Sequence, residues 1–201
     1  MKKVLLICGC IVLALAAVFG GIYFGTPGGK IISTSASIIG FNSVEELNSK
    51  ASLIIIGSPE EDFLSCKPII EYNDSGRYGQ FYTMRKLKVD RVLKGDKKYE
   101  SIEVVETAAA INNDPLKYQK DIMTIEDYRV MEKGKKYILF LDKNEAGQNY
   151  IVGVYQGKFN LDGQDTVEKN AVEENRHYRN LKRQALEEYE ADISAEVSVT
   201  E

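Results

Sequence analysis

The sequence predicts a small, mainly β domain with a short helix before its strands and an amphipathic helix after them, preceded by one transmembrane helix. Three observations predict it. Residues 4–24 carry no charge. Strand-length apolar runs, alternating or unbroken, recur between turn residues. The last part of the chain shows an apolar stripe at helical spacing. With 201 residues, 44% of them hydrophobic and 28% charged, the chain has the make-up of one globular domain with extra apolar sequence. That excludes a chain that is disordered as a whole, a collagen-like rod and a multi-domain enzyme.

The segment 4–24, VLLICGCIVLALAAVFGGIYF, follows Lys2 and Lys3 and is long enough to cross a bilayer as a helix, which takes about 20 apolar residues. Lysines beside a span stay in the cytoplasm, so residues 1–24 read as an anchor at the cell membrane with the domain outside; Lys30 slightly weakens the asymmetry. Two other readings stay open. Cleavage after Ala16, at the small-x-small triplet Ala14-Leu15-Ala16, would release a secreted domain, although the apolar run continues to Phe24 where a cleaved signal turns polar. Ile7-Cys8-Gly9-Cys10 has the form of a lipoprotein box with Cys10 lipidated, but a long apolar run follows it. Residues 25–42, opening with GTPGGKIISTSA, read as a flexible linker.

Beyond the span, 24 lysines and arginines stand against 30 acidic residues, so the exported part carries about −6, the opposite sign to that of a typical nucleic-acid binder. Cys66 is the one cysteine beyond the span and has no intramolecular disulfide partner.

The domain proper is expected over 43–163. Ser43-Val44-Glu45-Glu46 is a capping-box sequence and starts a helix at 43–50. Ser52-Leu53-Ile54-Ile55-Ile56-Gly57 reads as a strand buried on both faces, ended by Gly57 and Pro59. The pattern breaks between Glu60 and Tyr78, with a turn at Asn73-Asp74-Ser75-Gly76. Phe81, Thr83, Leu87 and Val89 then alternate with Tyr82, Lys86, Lys88 and Asp90 in one long strand, whose apolar phase slips near Arg91 and so predicts a bulge. Gly95-Asp96 turns the chain into Ile102-Glu103-Val104-Val105. Residues 107–131 hold no period and contain the breaker Asn112-Asn113-Asp114-Pro115, so they read as a long functional or mobile loop. Tyr137-Ile138-Leu139-Phe140-Leu141 is a second strand buried on both faces. Tyr150, Val152 and Val154 form another, and Lys158–Leu161 a last short one. Asp165 caps a single helix over 164–193 with Val167, Ala171, Tyr178, Leu181, Ala185 and Tyr189 on its apolar stripe, and 194–201 is expected to be a disordered tail.

The succession ASLIIIG, FYTMRKLKVDRVLKGD, SIEVVE, EKGKKYILFL and YIVGVYQGKFNLDG resembles a group of uncharacterised exported bacterial domains. More distantly it is similar to the netrin-like module of the tissue inhibitors of metalloproteinases. The resemblance covers about residues 50–163 and is most specific at Val92–Asp96, Gly134–Phe140 and Gln156–Phe159. It implies an OB-like, partly closed Greek-key barrel that works by binding. The inhibitory wedge of those proteins needs a cysteine at the free amino terminus, whereas this chain starts with Met1 and an apolar segment, so that mechanism does not carry over.

Residues able to support chemistry are few. His177 is the only histidine and sits among Arg176, Tyr178 and Arg179, where a solvated surface role is the plain reading. One histidine and one exterior cysteine do not make a zinc site, and Asp162, Asp165 and Glu168 lack EF-hand spacing, so helix capping accounts for them. Gly153–Lys158 is one residue short of a phosphate loop. No cofactor or metal is expected. Arg85, Lys86, Lys88 and Arg91 form a locally basic strand that, with Tyr118, Tyr128 and Tyr155, is the candidate binding surface; the plain reading is an exposed strand whose lysines discourage edge pairing. The expectation is a membrane-anchored extracytoplasmic binding module without catalytic activity, its ligand a protein or an envelope polymer and not nucleic acid. The alternative is a thiol-dependent or hydrolytic enzyme using Cys66 and His177.

Overall fold

The computed structural model describes residues 29–95, 98–112, 119–126 and 128–197. The apolar segment 4–24 lies outside them, and among the described residues no helix is long and apolar enough to cross a membrane. In chain order the strands are β1 (Ile31–Thr34), β2 (Leu53–Pro59), β3 (Pro68–Tyr72), β4 (Tyr78–Lys94), β5 (Ser101–Glu106), β6 (Ala108–Ile111), β7 (Asp121–Ile125), β8 (Tyr137–Lys143), β9 (Asn149–Ile151) and β10 (Lys158–Asn160). The helices are α1 (Val44–Lys50), α2 (Thr166–Glu174), α3 (Arg176–Glu188) and α4 (Glu190–Val197).

Five strands close a ring. β2 pairs antiparallel with β4 on one side and β8 on the other. β4 pairs antiparallel with β5, β5 parallel with β9, and β9 antiparallel with β8. The protein is therefore mainly β with a closed five-stranded barrel, in an order and with directions consistent with the OB-like type. The expected barrel was only partly closed; β9 completes it, short as it is. Gly157 makes room for the closure, because a Cβ there would lie 2.6 Å from the Val152 carbonyl oxygen and 3.2 Å from Phe140 Cβ. The Phe140 amide donates to the Gly157 carbonyl at 2.8 Å, and the Val152 amide to the Phe140 carbonyl at 2.9 Å.

The bulge expected near Arg91 is present as two register shifts. Ile54, Ile55, Ile56 and Gly57 face Lys94, Val92, Arg91 and Val89, so Leu93 and Asp90 are the extra residues, one on each side of Arg91. Such insertions sharpen the coil of a long strand, which lets the 17 residues of β4 serve the barrel with one half and pair with β3 through the other. The capping box at α1 is also present, with one change: Ser43 Oγ accepts from the Glu46 amide, but the Glu46 carboxylate accepts from the Asn42 amide at 2.7 Å.

Five expectations are corrected. The linker 25–42 contains β1, which runs parallel to β7. The stretch 60–78 contains β3. The supposed loop 107–131 contains β6 and β7, which pair with each other and make a second, three-stranded sheet with β1. The single helix at 164–193 divides at Asn175, whose side chain caps α3 by accepting from the Tyr178 amide while its own amide closes α2 on Ala171, and again at Tyr189, between α3 and α4. Residues 194–197 of the expected tail belong to α4. The missed strands are four or five residues long, too brief for alternation to register.

Two apolar clusters meet at β2 and β8. Inside the barrel, Ile55, Leu87, Val104, Leu139 and Leu141 are joined by Phe63, Tyr128 and Met131. Outside it, Ile54, Ile138, Phe140 and Phe159 pack against Leu47 of α1 and Tyr178, Leu181 and Ala185 of α3. A third, smaller cluster of Phe81, Ala109, Ile111 and Met123 fastens the second sheet to β4.

Candidate functional site

Gly157 leads into β10, a three-residue strand held by β8 through pairs such as Phe159 with Ile138. Both faces of β10 are covered, so Lys158, Phe159 and Asn160 are all buried. Phe159 lies in the helical cluster, 5.4 Å from the Tyr178 ring and 6.1 Å from the Phe140 ring between centroids. Lys158 points the other way. Its ammonium donates to the Arg129 carbonyl at 2.7 Å and sits 5.2 Å and 5.3 Å from the ring centroids of Tyr128 and Tyr137, two favourable cation–π contacts. Burial pushes its pKa below the ordinary lysine value, against the pull of Glu168, Asp165 and Glu106.

The helices contribute the facing wall. Asp165 caps α2 by accepting from the amides of Val167 and Glu168, as the sequence predicts, and its other oxygen accepts from the Tyr137 hydroxyl at 2.8 Å. One turn on, the buried Glu168 carboxylate accepts from the Asn160 amide at 2.8 Å and from Lys182 at 2.9 Å. The Tyr178 hydroxyl lies between that carboxylate and the Lys158 carbonyl, with one proton to share. Burial and the neighbouring Glu168 push the Tyr178 and Tyr137 hydroxyls above the ordinary tyrosine value, with Asp165 the larger electrostatic cause at Tyr137. Both therefore stay protonated donors.

Between this wall and β10 the structure leaves a cleft of about 430 Å³, lined by Arg129, Tyr155, Lys158, Glu168, Arg176 and His177 among others. That volume falls in the range of small-molecule sites. Glu168 is already matched by Lys182, whereas among the described residues no ion pair joins Arg129, Lys158 or Arg176 to a carboxylate.

Of the described residues of the candidate binding surface, only Tyr155 lines this cleft. Arg85 and Tyr128 are corrected outright: both have 0% exposure. Arg85 pairs with Glu106 at 2.7 Å and donates to the Glu61 carbonyl at 2.8 Å, while Tyr128 donates to the other Glu106 oxygen at 2.8 Å. Lys86 and Lys88 are exposed but paired with Glu60 and Asp90, and Arg91 bridges to Asp192 of α4 at 2.8 Å. The basic strand is thus charge-matched rather than an open cationic face. Tyr118 lies outside the described residues.

His177 is exposed on the rim of the cleft. Cys66 is buried beside the Phe63–Ser65 3-10 turn, and its thiol contacts the Asp62 carbonyl at 3.4 Å and Glu61 at 3.7 Å. Burial pushes that thiol up, away from the reactive thiolate. The hydrogen bonds of Cys66 go to these two neighbours and not to His177.

Sequence reasoning missed Arg129, Lys158 and Glu168 as cleft residues. A lysine beside Phe159 in a short strand gives no sign of being buried, and only the pairing of β10 with β8 and the closing of Tyr128, Tyr137 and the Arg129 carbonyl around the ammonium make it so. The chain matches no protein-family model and no curated protein.

Proposed function

We propose that this chain is a membrane-anchored, extracytoplasmic binding module without catalytic activity, built on an OB-like Greek-key barrel, whose ligand, a protein or an envelope polymer, engages the cleft between β10 and the helices α2 and α3. One observation carries the reading: the cleft combines a pre-formed concavity, aromatic walls and cationic groups without ion-pair partners among the described residues, the ordinary make-up of a recognition site. The residues 4–24 support the anchor, being uncharged and of bilayer-spanning length behind two lysines.

The test uses the tagged full-length protein in its native host, cross-linked mildly and captured, beside an Ala171→Trp variant that fills the cleft from α2 and a Lys86→Ala variant on the barrel surface. The same cross-linked protein or polymer should be recovered with the unaltered chain and with Lys86→Ala, and be lost with Ala171→Trp. Equal recovery with all three would remove the cleft from the reading.

A further inference from the structure

We propose that the cleft receives a single oxyanion group of its ligand, a carboxylate or a phosphate, carried on an aromatic or apolar body; this rests on the cleft being the ligand site. The first ground is the Lys158 ammonium. It is 1% exposed, its hydrogen bond goes to a neutral carbonyl, and among the described residues no carboxylate lies within ion-pair distance. A buried cation is ordinarily matched by an anion; here the direct contacts of the ammonium among the described residues are one carbonyl and two ring faces, while Glu168, Asp165 and Glu106 act on it from beyond ion-pair distance.

The second ground is the surrounding charge. Arg129 is half-buried and lines the same cleft; among the described residues its guanidinium donates to the Tyr128 carbonyl, at 3.4 Å, and forms no ion pair. Arg176 and His177 stand at the mouth. Glu168, the acid built into the wall, is consumed by the Asn160 amide, Tyr178 and Lys182, so it acts on Lys158 only from beyond ion-pair distance and offers no seat to a cation. Glu174 is an exposed acid on the rim. The cleft is therefore lined by Arg129, Lys158, Arg176 and His177 against the exposed Glu174 and a Glu168 that Lys182 already matches, a balance that favours an anionic group on the ligand. Guanidinium groups match a planar or tetrahedral oxyanion in either form.

The third ground is the shape of the remaining wall. Ala171 and Tyr155 both line the cleft, the former with a small side chain, and the Tyr155 and Tyr178 rings meet edge to face at 5.8 Å between centroids. This leaves aromatic surface for the body of the ligand.

Calorimetric titration of the full-length protein in detergent micelles tests the idea with three probes of one shape: benzoate, phenyl phosphate and the cation benzamidine. At least one of the two oxyanions should bind saturably and about tenfold or more tighter than benzamidine, and the stronger of the two identifies the group. Lys158→Met, which removes the charge while keeping the volume, should weaken that binding by about tenfold or more. The rim double variant Arg129→Ala/Arg176→Ala does the same without touching a fully buried position. Benzamidine binding as tightly as the anions, oxyanion affinity unchanged in both variants, or no saturable binding by any probe would each overturn the proposal. Benzamidine binding that Ala171→Trp abolishes would keep the cleft as a ligand site and remove only the oxyanion.

Discussion

Arg85 follows the alternation of β4 in phase with Phe81, Thr83, Leu87 and Val89, all of them buried. The period alone therefore placed it inside, and grouping it with Lys86 and Lys88 gave its charge more weight than its position. Its partner, Glu106, is equally buried and also accepts from the Tyr128 hydroxyl and from the Met131 amide at 2.5 Å. A network of this kind is strong as a set and costly when broken. Arg85→Met, which strands the Glu106 charge, should lower unfolding stability by about 3–5 kcal/mol. Arg85→Met/Glu106→Leu, which removes both charges, should recover much of that loss. Urea denaturation of the three proteins reads this directly, and a double variant no better than the single would show that the pair is not what holds the site. Tyr128, by contrast, was not legible. It lies in a stretch with no period, and only the return of the chain beneath the barrel puts its hydroxyl on Glu106.

β1 shows why short elements escape a reading by pattern. All four of its residues are exposed, so no hydrophobic phase marks it; the backbone ladder to β7 holds it, with the Ile122 amide donating to the Lys30 carbonyl at 2.8 Å and the Glu126 amide to the Thr34 carbonyl at 2.9 Å. Its Ser and Thr content reads as linker for the same reason. Ile32→Pro removes a ladder donor and resists the strand geometry. Amide hydrogen exchange at Ile122 and Glu126 should then quicken by about tenfold or more, while amides in β2 and β8 keep their protection. Uniform acceleration across the barrel would mean that β1 supports the whole fold rather than one edge. The long elements were legible because burial writes its period into them: the unbroken runs of β2 and β8, the alternation of β4 with its slip at Arg91, and the Ser43 and Asp165 caps all matched. The break at Asn175 was not, since the apolar stripe continues across it and only the cap geometry divides α2 from α3.

Across the whole molecule, the segment 107–131 changes meaning. The sequence reads it as a long functional or mobile loop; in the structure it gives Ala108, Ala110, Tyr128 and Met131 to the barrel core and Ala109, Ile111 and Met123 to the cluster beneath the second sheet. Deleting it should abolish the near-ultraviolet circular dichroism and the cooperative thermal transition instead of leaving a folded barrel that no longer binds. A deletion variant that still melts cooperatively would restore the segment as an appendage. The barrel and helical layer are bound still more closely, because Tyr137, Ile138, Leu139, Phe140 and Leu141 of β8 all have 0% exposure, with Ile138 and Phe140 in one cluster and Tyr137, Leu139 and Leu141 in the other. A strand so enclosed meets two volume limits at once. Enlarging Phe140 crowds Phe159 and Tyr189, both 6.1 Å away between ring centroids, while enlarging Leu139 crowds the barrel interior. Substitutions along β8 are therefore tolerated only with a compensating change on the matching side, and residues on α3 and in the barrel wall inherit limits on their variation from a strand that solvent never reaches.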